Sequence, residues 1–346
     1  MTEGRQVKAP TIIDIAREAG VSKSVVSRAL LAQGGVNKET RRRVAEVAER
    51  LGYVKNAMAQ GLVAQRTHTI GVLVRNVTNP FYGHLQAALE ERAAQRGYRV
   101  VATTGTGAFE LTQERKALQT LLSLRVEGLV VCSGLLSAAD ITPFVQHVPT
   151  VVAGRPERDP ALGSVYCDEQ DGAAQLVSHL TGLGHRRVGV LRVPRRLSIT
   201  QYERGTAMER ELREAGAEPV VVELDERPDS VARAIGTLTA ARDGAEAVTA
   251  AMCPSDHAVL RAVEALQALG LSAPGNMSLT GFDGVAPLST PLLGLTTLRQ
   301  PVPEIGRRAI DLVLDQPDAR PDDAPHLGLQ GTLVIGRTTA PPHPRG

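Results

Sequence analysis

From residue 69 onward, short strand-like runs alternate with amphipathic helical stretches, and this alternation constrains the fold more than any other feature. TIGVLV, GLVVC and VGVLR are brief, apolar and rich in β-branched residues, as buried strands are. HLQAALEERAAQRG and ERKALQTLLSLRVEG, which lie among such runs, have the spacing of helices with one apolar face. Alternation with short connections predicts parallel sheets covered by helices on both faces. A second series begins near Arg187, which predicts two similar α/β lobes.

The segment before residue 69 predicts three short helices instead. Thr11 opens the first, IIDIAREA, and Gly20 can adopt the positive φ of the sharp turn that follows. Ser22 is a good N-cap for the second helix, KSVVSRAL, and Asn37 is one for the third, KETRRRVAEVAER. This arrangement is typical of a helix-turn-helix. The expected core of the segment consists of Ile12, Ile15, Ala16, Ala19, Val25, Val26, Ala29, Val44, Val47, Ala48 and Leu51.

The net charge of +2 conceals an asymmetry along the chain. Residues 1–68 contain twelve basic and six acidic side chains, a net charge of +6, and the remainder contains 27 basic and 31 acidic ones. A basic head on an acidic body is the charge pattern of a nucleic-acid-binding module joined to a second domain. A three-helix segment that binds no DNA is the alternative, and the caps, the spacing and the charge together favour DNA binding.

The run TIIDIAREAGVSKSVVSRAL, followed by VNKETRRRVAEVAERLGYVKNAMAQGL, resembles the head of the LacI/GalR family of transcriptional regulators. The resemblance continues through the whole chain. It implies a repressor that binds double-stranded DNA at a palindromic operator as a homodimer. It also implies a small-molecule effector, sugar-like or a related metabolite, in a cleft between two lobes like those of periplasmic binding proteins. Use of the effector as a corepressor, or activation of transcription, stays open.

The same resemblance implies three parts. An all-α helix-turn-helix head spans residues 9–54, a hinge helix and linker span residues 55–68, and an effector-binding and dimerisation core spans residues 69–340. Each lobe is expected to be built from two separate segments of the chain. The N-lobe comprises about 69–168 plus 300–325, and the C-lobe comprises about 169–298 plus 326–340. The C-terminal sequence ends in prolines without leucine heptads, so a dimer is expected rather than a tetramer.

In family members the start of the second helix enters the major groove. Carried over by position, Lys23, Ser24 and Arg28 are implied to read base edges, where each bidentate contact is worth about 1–3 kcal/mol of discrimination. Phosphate contacts are implied for Thr11, Ser22, Ser27, Asn37 and Thr40.

The resemblance also assigns roles in the hinge, which would wedge Leu62 into the minor groove, with Ala59 at the contact between two hinges. Lys55 replaces the family's usual proline, and Gly61 precedes the wedge. Glycine inside a helix costs about 1 kcal/mol relative to alanine. We therefore expect this hinge to order weakly unless Lys55 binds a phosphate, and Gly61→Ala to tighten operator binding in a gel-shift titration. An unchanged or weaker affinity would contradict this expectation.

Ligands of doubly wound sheets bind beyond the carboxyl ends of the strands, which here carry NVTNPFYG, CDEQD, CPSD and GFDG. The resemblance implies that aromatic rings stack on the effector and that carboxylates accept its hydrogen bonds. Where many family members have an arginine and an asparagine, this chain has Thr200 and Ser255. The missing arginine favours a neutral sugar or nucleoside over an anion. The implied effector-binding residues are Phe81, Tyr82, Asp168, Asp171, Thr200, Ser255, Asp283 and Gln300.

Signals of catalysis, cofactors and metal binding are missing from the sequence. It has no phosphate-binding loop and no GxSxG motif, and His185 is expected to be structural rather than a catalytic base. The chain is therefore expected to be no enzyme and to use no cofactor. Cys132, Cys167 and Cys253 are far apart and odd in number, which argues against disulfides or zinc. Buried, inert thiols are expected, with a thiol-based redox or metal sensor at the cleft as the alternative.

No apolar run reaches the roughly 18–20 residues that span a bilayer, and the N-terminus lacks a secretory apolar segment. A cytoplasmic protein is therefore expected. A solute-binding protein that feeds a transporter would share the body, but the basic head and the missing export signal argue against it. An enzyme on the same two-lobed fold would need a catalytic pair in the cleft.

Overall fold

The structure is a computed structural model that describes residues 10–31, 34–53, 66–105, 111–146, 148–240, 247–315 and 324–342. It divides into two compact units, Met1–Thr67 and His68–Gly346. The predictions for the hinge residues Lys55, Ala59, Gly61 and Leu62 lie outside the described residues.

Three helices form the first unit: α1 (Ile12–Ala19), α2 (Lys23–Leu30) and α3 (Lys38–Arg50). Their N-caps are the three residues that the sequence predicts. The side chains of Thr11, Ser22 and Asn37 each accept a hydrogen bond from a backbone N–H in the first turn. Gly20 ends α1 with a φ of 64°, the left-handed conformation that the turn into α2 requires.

One apolar cluster holds these helices together. Ile15, Val26 and Val44 are fully buried at its centre, one from each helix. The prediction for Val25 is wrong, because this side chain is only half-buried and lies outside the cluster. Leu30, one turn further along α2, packs against the cluster instead.

The second unit contains two lobes, each built on a six-stranded sheet. In the N-lobe the strand order is β11-β5-β4-β3-β1-β2, and every pairing is parallel. Helices cover both faces, so β1, β3 and β4 are buried along their whole length. The elements are β1 (Thr69–Val74), α4 (Pro80–Gln95), β2 (Arg99–Thr104), α5 (Leu111–Ser123), β3 (Gly128–Cys132), α6 (Ala138–Val145), β4 (Thr150–Ala153), β5 (Gly163–Cys167), α11 (Val302–Asp315) and β11 (His326–Leu329).

The C-lobe has the strand order β12-β10-β9-β8-β6-β7, in which only β12 runs antiparallel to its neighbour, among the described residues. The predicted helical head and two α/β lobes are confirmed. The elements of this lobe are α7 (Glu169–Gly182), β6 (Arg187–Arg192), α8 (Ile199–Glu214), β7 (Glu218–Glu223), α9 (Ser230–Leu238), β8 (Ala250–Met252), α10 (Asp256–Ala268), β9 (Ser278–Asp283), β10 (Thr296–Arg299) and β12 (Thr332–Val334).

The chain passes between the lobes three times: after β5, after β10 and between β11 and β12. The expectation that residues 326–340 belong to the C-lobe is wrong at its start. Strand β11 pairs with β5 of the N-lobe, from His326 beside Ser164 to Leu329 beside Cys167. The third passage therefore lies after Leu329. Such a short strand is specified by its distant partner, which the local sequence does not reveal.

Gly306 of α11 lets this helix approach α4 closely. A Cβ atom at Gly306 would lie 2.6 Å from the Cβ atom of Ala88 and 3.0 Å from its carbonyl carbon. We expect Gly306→Ala to lower the free energy of unfolding by about 1–3 kcal/mol, because the helices would have to move apart. Urea unfolding measures the change. Gly83→Ala is the control, since a Cβ at Gly83 would meet nothing within 4 Å. Equal stability of the two variants would contradict the account.

Candidate functional site

The outer face of α2 carries the three residues predicted to read bases. Lys23, Ser24 and Arg28 are all exposed, opposite the buried Val26. Arg28 folds back along the helix, where its Nε donates to the Ser24 carbonyl at 3.4 Å. Because residues four apart lie on the same side of a helix, Ser24 and Arg28 form one surface beside Lys23. The half-buried Ser27 lies at its margin.

Four of the five predicted phosphate-binding residues lie at helix N-termini: Thr11, Ser22, Asn37 and Thr40. Thr11 forms a capping box with Asp14, Ser22 accepts from the backbone N–H of Val25, and Asn37 accepts from that of Thr40 at 2.7 Å. Each N-terminus carries partial positive charge from unpaired N–H groups, which suits a phosphate oxygen. Ser22 and Asn37 therefore lie where an anion would be favoured, whereas the Asp14 carboxylate already accepts from Thr11 at the start of α1.

A cleft of about 230 Å³ lies between the two lobes of the second unit. Five of the eight predicted effector-binding residues line it: Phe81, Tyr82, Thr200, Asp283 and Gln300. The other lining residues are Arg75, Asn76, Asn79, Gly154, Val193, Leu197, Ser198, Gln201, Arg204, Leu224 and Asp225.

The N-lobe wall presents two aromatic rings at the start of α4. Asn79 caps this helix by accepting from the backbone N–H of Phe81 at 3.0 Å. The rings of Phe81 and Tyr82 meet edge to face, with centroids 5.2 Å apart. Gly154 adopts a φ of 85°, and a Cβ atom there would lie 3.3 Å from the Phe81 ring. Burial raises the pKa of Tyr82, so its phenol stays protonated as a hydrogen-bond donor.

The C-lobe wall comes from the first turns of α8. Ser198 caps the helix by accepting a hydrogen bond from the backbone N–H of Gln201. Arg204 comes three residues after Gln201 and lies on the same side of the helix. The buried guanidinium of Arg204 donates to both carboxylate oxygens of Glu169, at 2.7 and 2.9 Å. It also stacks on the ring of Phe282, 3.6 Å from the centroid. Arg204 is thus fixed in place before any ligand enters.

Asp283 lies at the floor of the cleft, where the chain leaves the C-lobe sheet. It accepts from Gln300 Nε2 at 2.8 Å, and its Oδ1 lies 3.8 Å from Arg204 Nη1. Its φ of 114° is unusual for a residue with a side chain. Asp256, which accepts from Thr297, is buried beneath it. Burial raises the pKa of Asp283 to about 7 and that of Asp256 to about 6.

The raised pKa of Asp283 predicts how stability depends on pH. Between its ordinary value of 3.8 and about 7, the folded protein holds a proton on Asp283 that the unfolded chain has released. The contribution of Asp283 to the free energy of unfolding therefore falls as pH rises through this window. Asp283→Asn cannot titrate and still accepts from Gln300, so urea unfolding should show less loss of stability between about pH 5 and about pH 8 than in the wild type. Parallel losses in the two proteins would contradict the assignment.

The structure does not bring the other three predicted residues to this cleft. Asp168 caps α7 by accepting from the backbone N–H groups of Gln170 and Asp171. Asp171 accepts from Gln175 at 2.7 Å. Ser255 is buried as the cap of α10. The strand-end rule finds the right loops, but it gives no side-chain directions, and these oxygens stabilise helix ends instead.

Sequence reasoning missed several lining residues. Asn76 and Asn79 belong to NVTNPFYG, in which only the aromatic pair is predicted to contact the effector. Ser198, Gln201 and Arg204 follow β6, whose carboxyl end the same rule could have included.

The side chains of the three cysteines and of His185 are buried and unreactive. Burial raises the pKa of Cys132 and of Cys253 to about 12 and raises that of Cys167, so the thiols stay protonated. Burial lowers the pKa of His185, which bonds Thr249, Ser278 and the Ala340 carbonyl as a structural residue. Within the described ranges no cluster of His, Cys, Asp and Glu could hold a metal ion, and no helix is long and apolar enough to cross a membrane.

Comparison with known proteins identifies both units. Residues 11–56 match the model of bacterial regulatory proteins of the lacI family, and residues 177–339 match a periplasmic binding protein-like domain. The HTH-type transcriptional repressor CytR of Escherichia coli (strain K12) is 30% identical over 342 residues, which cover 96% of each chain. The chain belongs to the LacI family. This LacI-family protein is a DNA-binding transcriptional regulator.

Two further relatives span both units of this LacI-family chain. Catabolite control protein A of Priestia megaterium is 29% identical over 307 residues, covering 88% of this chain and 91% of that protein. A crystal structure of the lac repressor dimer bound to operator and the anti-inducer ONPF has a TM-score of 0.81 and 25% identity, covering 96% of this chain and 100% of that one. The expected family is confirmed.

Proposed function

We propose that this regulator is a repressor that binds a palindromic operator as a homodimer and releases it when a small neutral effector fills the cleft between the lobes. The cleft carries the effector part of the proposal, because both lobes contribute its walls. We also propose the division into head (9–54), hinge (55–68) and core (69–340). We propose that the regulator acts on chromosomal DNA in the cytoplasm.

Charge and shape in the cleft favour a neutral, polyhydroxylated effector such as a sugar or nucleoside. Arg204 is paired with Glu169, and Asp225 accepts from Arg227 at 2.7 Å. Arg75 donates to a backbone carbonyl of the other lobe. With Arg204 and Asp225 paired with opposite charges and Arg75 bonded to a carbonyl, the remaining asparagine, serine, threonine and glutamine groups suit hydroxyls, and the aromatic pair suits the apolar face of a ring. One relative of known structure, the transcriptional regulator CelR, is a complex with cellobiose.

Contacts across the cleft connect ligand binding to the lobe arrangement. The backbone N–H of Ile199 donates to the Gly134 carbonyl at 2.6 Å, and His84 Nε2 lies 2.8 Å from the Ala286 carbonyl oxygen. A ligand that changes the angle between the lobes must strain or break these contacts. In a dimer that change would move the two hinges relative to each other and weaken operator binding. Coupling of this kind is typically about 1–3 kcal/mol, or about 5–150-fold in affinity.

The proposal is tested with the full-length protein by gel shift on the promoter nearest its own gene. Candidate sugars and nucleosides come first from a thermal-shift screen, in which ligand at about 100 times its Kd adds about 2.7 kcal/mol. We expect one of them to weaken the DNA complex, and Thr200→Val to blunt that response. Gln267→Ala, on the exposed face of α10, is the matched control. Failure to bind any palindrome at low salt would overturn the repressor assignment.

We propose further that the cleft binds its effector without converting it. The relative CytR is a transcriptional repressor. Chromatography of the effector after prolonged incubation with the protein would reveal any product. Turnover that Thr200→Val abolishes would contradict this part of the proposal.

A further inference from the structure

A second cavity, of about 440 Å³, lies between the lobes on the other side of α8. The N-lobe supplies one wall, with the loop after β4 and Tyr166 of β5. The C-lobe supplies the other, with Arg195 and the outer face of α8. The connection between β5 and α7 closes one end, at Asp168 and Glu169.

Helix α8 is a shared wall of the two cavities. Thr200 and Arg204, four residues apart, line the first cleft. Tyr202, Thr206 and Arg210, also spaced by four, line the second. A two-residue offset turns a helix by about 200°, so the two rows lie on opposite sides. A ligand in the second cavity would therefore contact the helix that also forms a wall of the effector cleft.

The same ion pair also belongs to both cavities. Glu169 lines the second cavity, and its carboxylate holds Arg204, which lines the first. Both side chains are almost fully buried. A ligand that forms a hydrogen bond with the Glu169 carboxylate would therefore change the position of Arg204 or the balance of charge around it.

The carboxylates of the second cavity are mostly engaged. Glu157 pairs with the buried Arg155 at 2.8 Å, and Glu169 pairs with Arg204 at 2.7 Å. Asp168 accepts backbone N–H groups at the start of α7. Glu203 also lines the cavity and pairs with Arg195 at 3.3 Å, so among the described residues Asp168 is the lining carboxylate without an arginine partner.

The guanidinium groups of this cavity are less completely engaged. Arg195 donates to Glu203 at 3.3 Å, whereas Arg210 lies 3.9 Å from Glu211 and 3.8 Å from Glu214, beyond hydrogen-bond distance. The Arg158 side chain makes no ion pair or hydrogen bond within the described parts of the chain. Positive charge thus faces the cavity from both lobes, beside the rings of two tyrosines, Tyr166 and Tyr202.

We propose that this cavity is a second ligand site, for a polyhydroxylated molecule with one anionic group, a sugar phosphate or a sugar acid. Arg158 and Arg210 bind the anion from opposite lobes, while Tyr166 and Tyr202 contact the ring. The ligand bridges the lobes and adjusts the effector cleft through the pair of Glu169 and Arg204. Only this last consequence rests on the proposed function.

Calorimetry on the full-length protein tests the site directly, without operator. The probes are glucose 6-phosphate, gluconate, glucose and inorganic phosphate. We expect an anionic sugar to bind, and Arg158→Ala/Arg210→Ala to weaken it about tenfold or more, since two charge-assisted contacts are lost. Arg213→Ala/Arg261→Ala removes two other exposed arginines and should leave binding unchanged. Thermal unfolding checks that each variant is folded.

Several results would overturn the proposal. Both anionic sugars could fail to bind at millimolar concentration. Glucose or inorganic phosphate could bind as well as they do and lose that binding in Arg158→Ala/Arg210→Ala, which would remove the need for a sugar with an anionic group. Binding that survives Arg158→Ala/Arg210→Ala but is lost in Thr200→Val would place the anion in the first cleft. Because these outcomes do not involve DNA, a separate gel shift tells whether the repressor assignment fails as well.

Discussion

Arg204→Ala is expected to lower the free energy of unfolding by about 3–5 kcal/mol, because it strands buried carboxylates without their cation. Glu169 loses both hydrogen bonds from the guanidinium, and Asp283 loses its nearest positive charge. The Pro254 carbonyl loses a donor at 2.6 Å, and the Phe282 ring loses its stacking partner. Each of these groups is almost fully buried, so water entering from the neighbouring cavities would replace the missing contacts only in part.

Urea unfolding measures this loss against a matched arginine on the surface. Arg261 pairs with Glu264 at 3.2 Å, but both side chains are more than half exposed. Arg261→Ala should therefore cost less than about 1 kcal/mol. Adding Glu169→Gln to Arg204→Ala removes one stranded charge and should return part of the stability. A cost for Arg204→Ala as small as that for Arg261→Ala would show that the carboxylates find other partners or protons.

Features determined by neighbouring residues could be predicted from the sequence. The caps Thr11, Ser22 and Asn37 act within one helical turn, so their positions were predicted correctly. The parallel sheets follow from runs such as TIGVLV, which need cover on both faces. The loops of the cleft follow from the polarity of a parallel sheet, and the family resemblance then selects Phe81 and Asp283 within them.

Features determined by distant partners could not be predicted. In the sequence, Arg204 is one of several charged residues on a polar helix. Only the structure shows that Glu169, 35 positions earlier, lies beside it. From the sequence, His326 is assigned to the C-lobe with the rest of the C-terminal segment. Its pairing with Ser164 of the N-lobe is visible only in the structure. Asp168 and Ser255 lie in the right loops, but backbone N–H groups compete for their oxygens. Side-chain direction and long-range pairing are properties of the folded chain, and local sequence carries little of either.

Lys23→Ala/Arg28→Ala is expected to remove most of the operator's advantage over random DNA, about 2–6 kcal/mol if each side chain supplies one bidentate contact. Both residues are exposed on α2, away from the core that Val26 anchors, so the head should stay folded. Binding to non-specific DNA depends mainly on phosphate contacts and should persist at low salt. The variant should thus lose sequence preference before it loses affinity for DNA.

Competition gel shifts, with operator and scrambled duplexes at two salt concentrations, separate these contributions. Arg50→Ala is the control, because Arg50 pairs with Glu18 at 2.7 Å near the end of α3, and loss of this exposed pair should leave the specificity ratio unchanged. If Lys23 and Arg28 instead contact phosphates, the double variant should bind the operator and the scrambled duplex more weakly by the same factor. The slope of log affinity against log salt concentration should then fall by about one for each lost contact. Unchanged discrimination in the double variant would mean that another surface of the head reads the operator. The major-groove assignment of α2 would then be wrong, even though its caps, core and charge would stand.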